Sequence, residues 1–260
     1  MNSVERLVYY TDKLEVEAES IIPNKRPPPG WPSRGEIHIK NLEIKYGLDS
    51  PLILKGISLD IMAAEKIGIV GRTAMSFFRF IEATSGSIVI DDVDISTIGL
   101  KDLRSNITII PQDAVLFNGT ISDLKLWNTL RRVQLINNSN PTSEKKEPEE
   151  SNAIHSFSDQ KNNNQEAIML DSPVKENGSN FSQGQQQLIT MARALVRDPK
   201  LIIMDEATAS IDFKTDHLIQ ATIREEFKNS TVITIAHRLR TVMDYDKILV
   251  MGMYFFKETF

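Results

Sequence analysis

Four short apolar runs, each stopped by a polar or turn-forming residue, constrain this chain more than any other feature. They are Lys66-Ile67-Gly68-Ile69-Val70 before Gly71, Ile107-Thr108-Ile109-Ile110 before Pro111-Gln112, Leu201-Ile202-Ile203-Met204 before Asp205-Glu206, and Val232-Ile233-Thr234-Ile235-Ala236 before His237. A run that is apolar at successive positions offers water no polar face, so as a strand it is buried on both sides, as in parallel sheets. Ligands of such sheets bind beyond the carboxyl ends of the strands. The four polar endings are therefore expected along one edge of one sheet.

The 260 residues suffice for one large α/β domain or two small ones. With Lys+Arg 30 against Asp+Glu 35, the net charge of −5 argues against a nucleic-acid partner, which usually draws a basic surplus. There is no cysteine, so disulfides and thiolate metal sites are excluded, and the four histidines are too scattered to suggest zinc. No apolar run reaches the roughly 18 residues that cross a membrane, and the charged N-terminus lacks a signal-peptide core. The chain by itself is expected to be soluble, or peripheral through a partner.

Residues 4–19 mix Val4, Leu7, Val8, Leu14 and Val16 with charges and read as an amphipathic helix. Five prolines between positions 23 and 32 read as a stiff linker, with a domain beginning near Gly35. From 137 to 165 Asn, Ser, Glu, Lys and Pro replace apolar residues, the composition of a disordered surface insertion.

Chemistry gathers at the turns. Asn180-Phe181-Ser182-Gln183-Gly184-Gln185 precedes Leu188, Met191, Ala192 and Leu195 at helical spacing. Such a turn offers free N–H groups to a phosphate; equally, Ser182 reads as an ordinary helix N-cap. Asp205 at a strand end can hold Mg²⁺, with Glu206 polarising a water, although carboxylates are common in turns. His237 can sense a γ-phosphate and Gln112 can offer Mg²⁺ an oxygen, while Tyr46 can stack on a base. Each of these three, alone, is more often structural.

Their order carries more than any one of them. Tyr46, the Gly71-Arg72-Thr73 loop start, Gln112, Ser182 to Gln185, Asp205-Glu206, Ala209-Ser210-Ile211-Asp212 and His237 follow the order of ATP-binding-cassette (ABC) ATPases, which this sequence resembles from 2 to 251 apart from the insertion. Phe181-Ser182-Gln183-Gly184-Gln185 and Pro27-Pro28-Pro29-Gly30-Trp31-Pro32 resemble the C subfamily, the multidrug-resistance-associated and oligomycin-resistance-like exporters. Ala207-Thr208-Ala209-Ser210-Ile211-Asp212 resembles their second cassette.

The pattern breaks at the phosphate loop. The template G-x-x-x-x-G-K-[ST] supplies N–H groups, a lysine for the β/γ charge and a hydroxyl for Mg²⁺. Here Gly71-Arg72-Thr73 is followed by Ala74-Met75-Ser76-Phe77-Phe78-Arg79, without the second glycine, the lysine or the hydroxyl pair. The sequence is about seven residues short of the family template, and Arg79 falls on a position in the helix after the loop rather than on the lysine. The segment after Asp123 is shortened before Leu126-Trp127, and residues 252–260 depart from the family pattern.

The resemblance implies an α/β fold, the ABC-type P-loop NTPase cassette. It comprises an antiparallel β-region near 35–100, a mainly parallel core sheet and a helical subdomain near 113–195. Residues 1–34 would lead in from a transmembrane region and 35–260 would form the cassette. ATP and Mg²⁺ are the implied cofactors. Tyr46 would stack adenine, Gly71, Arg72 and Thr73 would begin the phosphate loop, and Gln112 and Asp205 would hold Mg²⁺. Glu206 would act as general base and His237 as γ-phosphate sensor. Ser182, Gly184 and Gln185 would act in trans on the nucleotide of a second cassette. The implied partners are that cassette and a transmembrane domain, at the cytoplasmic face of a membrane. Three readings remain open: an ATPase module, a non-catalytic cassette lending its signature to a partner, and a fragment without function. The missing lysine makes hydrolysis by this chain impaired or absent.

Overall fold

The structure, a computed structural model, describes residues 4, 17–45, 47, 50–70, 79–116, 119–120, 124–133, 135, 172–205, 211, 213–236 and 239–250. Tyr46, the loop start at 71–73, Glu206, His237, the 137–165 insertion and most of 4–19 lie outside these residues. In chain order the strands are β1 (Ile37–Ile44), β2 (Leu54–Ile61), β3 (Lys66–Val70), β4 (Ser85–Ile90), β5 (Val93–Asp94), β6 (Thr108–Ile110), β7 (Gly119–Thr120), β8 (Pro173–Val174), β9 (Leu201–Asp205), β10 (Thr231–Ile235) and β11 (Lys247–Val250). The helices are α1 (Leu100–Asn106), α2 (Leu124–Arg132), α3 (Gln183–Val196), α4 (Phe213–Glu226) and α5 (Leu239–Val242). Two units divide the chain: Met1–Trp31, His38–Leu59 and Met75–Asn106 in the first, Pro32–Ile37, Asp60–Ala74 and Ile107–Phe260 in the second.

The first unit holds most of a four-stranded sheet of order β2-β1-β4-β5, with β4 and β5 antiparallel. In β1, Ile37 and Ile39 point inward, then Leu42 and Ile44; the alternation slips by one residue at Lys40-Asn41. Asn41 takes φ 44° at the slip, a left-handed conformation that Asn tolerates. Gly86 on β4 packs against it, since a Cβ there would stand 2.3 Å from the Asn41 carbonyl oxygen.

Residues 17–31 pack on this unit. The Glu19 and Ser20 carbonyls accept the Leu100 and Lys101 N–H groups, so they satisfy donors that open the N-terminus of α1. Arg26 forks onto Asp102, and Arg104 bonds Glu17. The helix expected through position 19 does not reach it. Residues 17–19 are non-helical, because their polar groups serve α1 instead of an intrahelical ladder. Trp31 is buried and donates its indole Nε1–H to the Ile90 carbonyl at 2.8 Å.

Arg79 corrects a second expectation. It stands in a turn with φ 52° and not in a helix. Its guanidinium reaches the Ile95 and Ile98 carbonyls at 3.0 and 2.8 Å and pairs with Glu82. Three fixed acceptors hold the residue where a helical backbone would point it elsewhere.

The second unit is built on a five-stranded sheet of order β11-β3-β10-β9-β6. All its pairings are parallel. The interiors of β3, β9 and β10 are buried throughout, as expected of runs without a polar face. At the edge, β6 leaves Ile109 exposed. Lys66 starts β3 by donating its Nζ to the Ala64, Lys228 and Ser230 carbonyls, and burial pulls its pKa down, partly offset by Asp246. Gly68 admits α5: a Cβ there would stand 2.5 Å from Val242 Cβ.

Helices α2, α3 and α4 share one core with β6, β9 and β10, through Leu130, Leu188, Met191, Ile202, Ile219 and Val232 among others. The apolar positions expected on α3, Leu188, Met191, Ala192 and Leu195, are all buried in it. The α/β class, the parallel core sheet, the antiparallel pairing and the helical layer thus all stand as expected from the sequence.

Candidate functional site

The strand register settles where the chemical endings go. Ile110 of β6 lies opposite Met204 of β9, Asp205 opposite Ile235 of β10, and Ile235 opposite Ile69 of β3. Parallel strands in register end together, so Val70, Gln112, Asp205 and Ala236 stand along one edge of the sheet. Gln112 is exposed and Asp205 half-buried. Both offer hard oxygen donors from adjacent strands, the type Mg²⁺ takes, with water and phosphate completing an octahedral shell. The donor chemistry fits that ion. Among the described residues no three His, Asp or Glu side chains group to hold a metal without such help.

Behind the edge, Ala236, Val242 and Tyr245 form a small apolar cluster joined by Val70 and Ile248. The Tyr245 hydroxyl bonds the Thr234 hydroxyl at 2.9 Å. Burial pushes the Tyr245 phenol up to about 12, with the Thr234 bond pulling the other way.

The sequence from Gly71 to Arg79 holds neither the second glycine nor the lysine nor the hydroxyl pair of the loop template. Arg79, the next cation along the chain, is already bonded to two carbonyls and Glu82, and its side chain is only 9% exposed.

The turn ahead of α3 is, in contrast, fully built. Ser182 is its N-cap: the hydroxyl accepts the Gln185 N–H at 3.2 Å, and the Gln185 side-chain oxygen accepts the Ser182 N–H at 2.9 Å. This reciprocal capping box uses both side chains. The Gln183 and Gly184 N–H groups are left without a partner among the described residues, at the positive end of a fourteen-residue helix. Ser182 and Gln183 are exposed. Gly184 is buried against α4, where a Cβ would stand 2.5 Å from Thr215 Cγ2. The glycine is therefore needed for helix packing, whatever it does for a phosphate. Gln186 Nε2 donates to the Gly178 carbonyl at 2.8 Å and to that of Phe181 at 3.2 Å, bracing the turn from behind.

The structure thus gathers Ser182, Gly184 and Gln185 in one turn, and Gln112 and Asp205 at neighbouring strand ends. Gln187 was missed by sequence reasoning. It is buried and ties α3 to the Pro111 carbonyl at 3.0 Å. A glutamine three residues after Gly184, on the face that packs, was the available signal.

A parallel sheet with its polar residues at one edge, flanked by a helix with a capped Ser-Gln-Gly-Gln turn, defines a nucleotide-binding cassette. A family model described as ABC transporter matches residues 54–209, and the chain belongs to that family. It is 45% identical to the ATP-dependent bile acid permease of Saccharomyces cerevisiae over 99% of this chain and 16% of the permease. It is 47% identical to ABC transporter C family member 3 of Dictyostelium discoideum over 96% of this chain and 17% of that protein. The pleiotropic ABC efflux transporter of multiple drugs YBT1 of Candida glabrata matches at 45% over 99% of this chain and 16% of its own length. The chain spans about a sixth of these relatives. The solved structure of a bacterial Atm1-family ABC exporter with ATP bound is similar at a TM-score of 0.70 and 27% identity, over 96% of this chain and 42% of that one.

Proposed function

We propose that this chain is the cassette portion of a C-type ABC exporter, that its own phosphate loop does not support hydrolysis, and that its signature turn acts on nucleotide held by a partner cassette. The observation that carries this reading is the contrast between a complete Ser182–Gln185 turn and a loop from which the lysine is missing. The match to YBT1 extends over 279 residues, more than the 260 of this chain, so positions of the relative lack a counterpart here.

In this reading residues 35–260 form the cassette and 1–34 lead in from a transmembrane domain. The cassette lies at the cytoplasmic face of a membrane; among the described residues no helix is long and apolar enough to cross one. Tyr46 stacks adenine, Gly71, Arg72 and Thr73 begin the truncated loop, and Gln112 and Asp205 offer oxygens to Mg²⁺. Glu206 and His237 keep the positions of a general base and a γ-phosphate sensor. Where a partner holds Mg-ATP, the N–H groups of Gln183 and Gly184 and the Ser182 hydroxyl would offer hydrogen bonds to its γ-phosphate.

Two measurements test this. Purified chain is expected to show no ATP turnover, whereas a variant with the full G-x-x-x-x-G-K-[ST] loop restored gains at least about a thousandfold, the usual worth of a preorganised charge clamp. Mixed with an active cassette, the chain raises the partner's turnover, and Ser182→Ala removes that increase. Turnover by the unmodified chain that Glu206→Gln abolishes would overturn the first part. An unchanged partner rate would overturn the second.

A further inference from the structure

We infer that Gln187 is a positioning residue that couples the signature turn to Gln112. Its functional meaning rests on the reading of that turn given above, while the coupling itself is a property of this chain alone.

Gln187 lies in the second turn of α3, five residues past the Ser182 cap, and is 1% exposed. Its Nε2 donates to the Pro111 carbonyl at 3.0 Å. That carbonyl can only accept, so the orientation of the amide is fixed and the Oε1 faces the other way. The Oε1 is buried and has no hydrogen-bond partner among the described residues. A glutamine held on one side only is a poor way to stabilise a core; an apolar side chain of the same shape would do as well. The bond therefore points to a role in placing Pro111, whose next residue is Gln112.

The rest of the segment rides on the same helix. Arg193, almost two turns further along α3, donates to the Val115 carbonyl at 3.3 Å. Leu116 is buried in the core that α3 shares and packs against Gly178, ahead of the signature turn. The pairing of β6 with β9 runs as far as Ile110 opposite Met204. Past Ile110 the chain that carries Gln112 is tied to α3 at Pro111 and Val115, and the bond from Gln187 is the first of these along the chain. A displacement at the Ser182 end of α3 is passed through Gln187 to Gln112 at the strand edge.

The test is a double-mutant cycle read by hydrogen exchange on the full chain, at the amides of residues 112–116. Ser182→Ala breaks the capping box and loosens the first turn of α3. In the wild-type background it is expected to speed exchange at 112–116 about threefold, the size of effect a single lost bond permits. In a Gln187→Met background, Ser182→Ala still loosens residues 185 and 186 but leaves 112–116 unchanged. Equal effects in both backgrounds, or none at 112–116 in the wild type, overturn the inference, because a merely structural glutamine makes the two changes additive. Gln187→Leu serves in the same cycle if the methionine variant does not fold. An unchanged partner turnover in the mixing experiment defeats the trans reading without touching this cycle. Additivity here, with a partner rate that still depends on Ser182, defeats the coupling alone.

Discussion

The strand-end edge and the signature turn are held in place by different means. The edge is a collective product: Gln112 and Asp205 stand at neighbouring strand ends because β6, β9, β10 and β3 lie in register, with partners far apart in sequence. The signature turn is nearly self-contained. Its capping box and the braces from Gln186 all fall between Gly178 and Gln186, and Thr215 adds one packing contact. A turn held by local bonds keeps its shape when a distant loop is shortened. An edge made by a whole sheet keeps its strands, but its chemistry depends on each loop that leaves it. This is why the Ser182 turn is complete in a chain whose phosphate-loop sequence is short.

Substitutions can break this comparison in graded steps. The largest effect is expected on the edge side. Gly68→Ala pushes a methyl into Val242 and should cost about 3 kcal/mol, the upper range for overpacking a core. Denaturant unfolding reads the loss, and Val242→Ala in the same chain should recover most of it.

Next comes pH, again on the edge side. The Tyr245 phenol has its pKa raised by burial to about 12, against about 10 in the unfolded chain. The folded state then holds its proton longer than the unfolded state. The stabilisation is complete below pH 10 and is lost as pH rises toward 12, by about 2 kcal/mol. Urea midpoints measured across that window should fall, and Tyr245→Phe should flatten the fall.

On the signature side, Gly184→Ala sets a methyl against Thr215 and should cost about 1.5 kcal/mol despite the better helix propensity of alanine. Thr215→Ala relieves it. Smallest of all, Ser182→Ala removes one cap, about 1 kcal/mol, with the sheet's exchange-protected amides unchanged. A global loss of protection from this last change would show that the turn is not self-contained after all.

The sequence announced the elements whose signals are local or periodic. Four apolar runs became β3, β6, β9 and β10, and the spacing of Leu188, Met191, Ala192 and Leu195 became the buried face of α3. Ser182 followed by Gln185 is a capping box written in four letters. Other features depend on partners that no local pattern names. Arg79 leaves the helical conformation because the Ile95 and Ile98 carbonyls lie within its reach. The pleat of β1 slips at Asn41, with Gly86 of another strand packed against the slip. Gln187 finds Pro111 across 76 residues of chain. The candidate site divides the same way. The Ser182 turn was legible whole, and the placing of Gln112 and Asp205 along one edge followed from reading the runs as strands of one parallel sheet.

Trp31 gives the chain an optical reporter. There are two tryptophans, at 31 and 127. With Trp127→Phe, the emission comes from one indole, buried in the first unit with its N–H committed to the Ile90 carbonyl. Such an indole fluoresces at short wavelength and shifts to the red when water reaches it. Its colour therefore follows the opening of the four-stranded sheet, while circular dichroism, dominated by α2, α3 and α4, follows the second unit. Unfolding curves from the two signals would overlay if the units melt together and separate if the first opens alone.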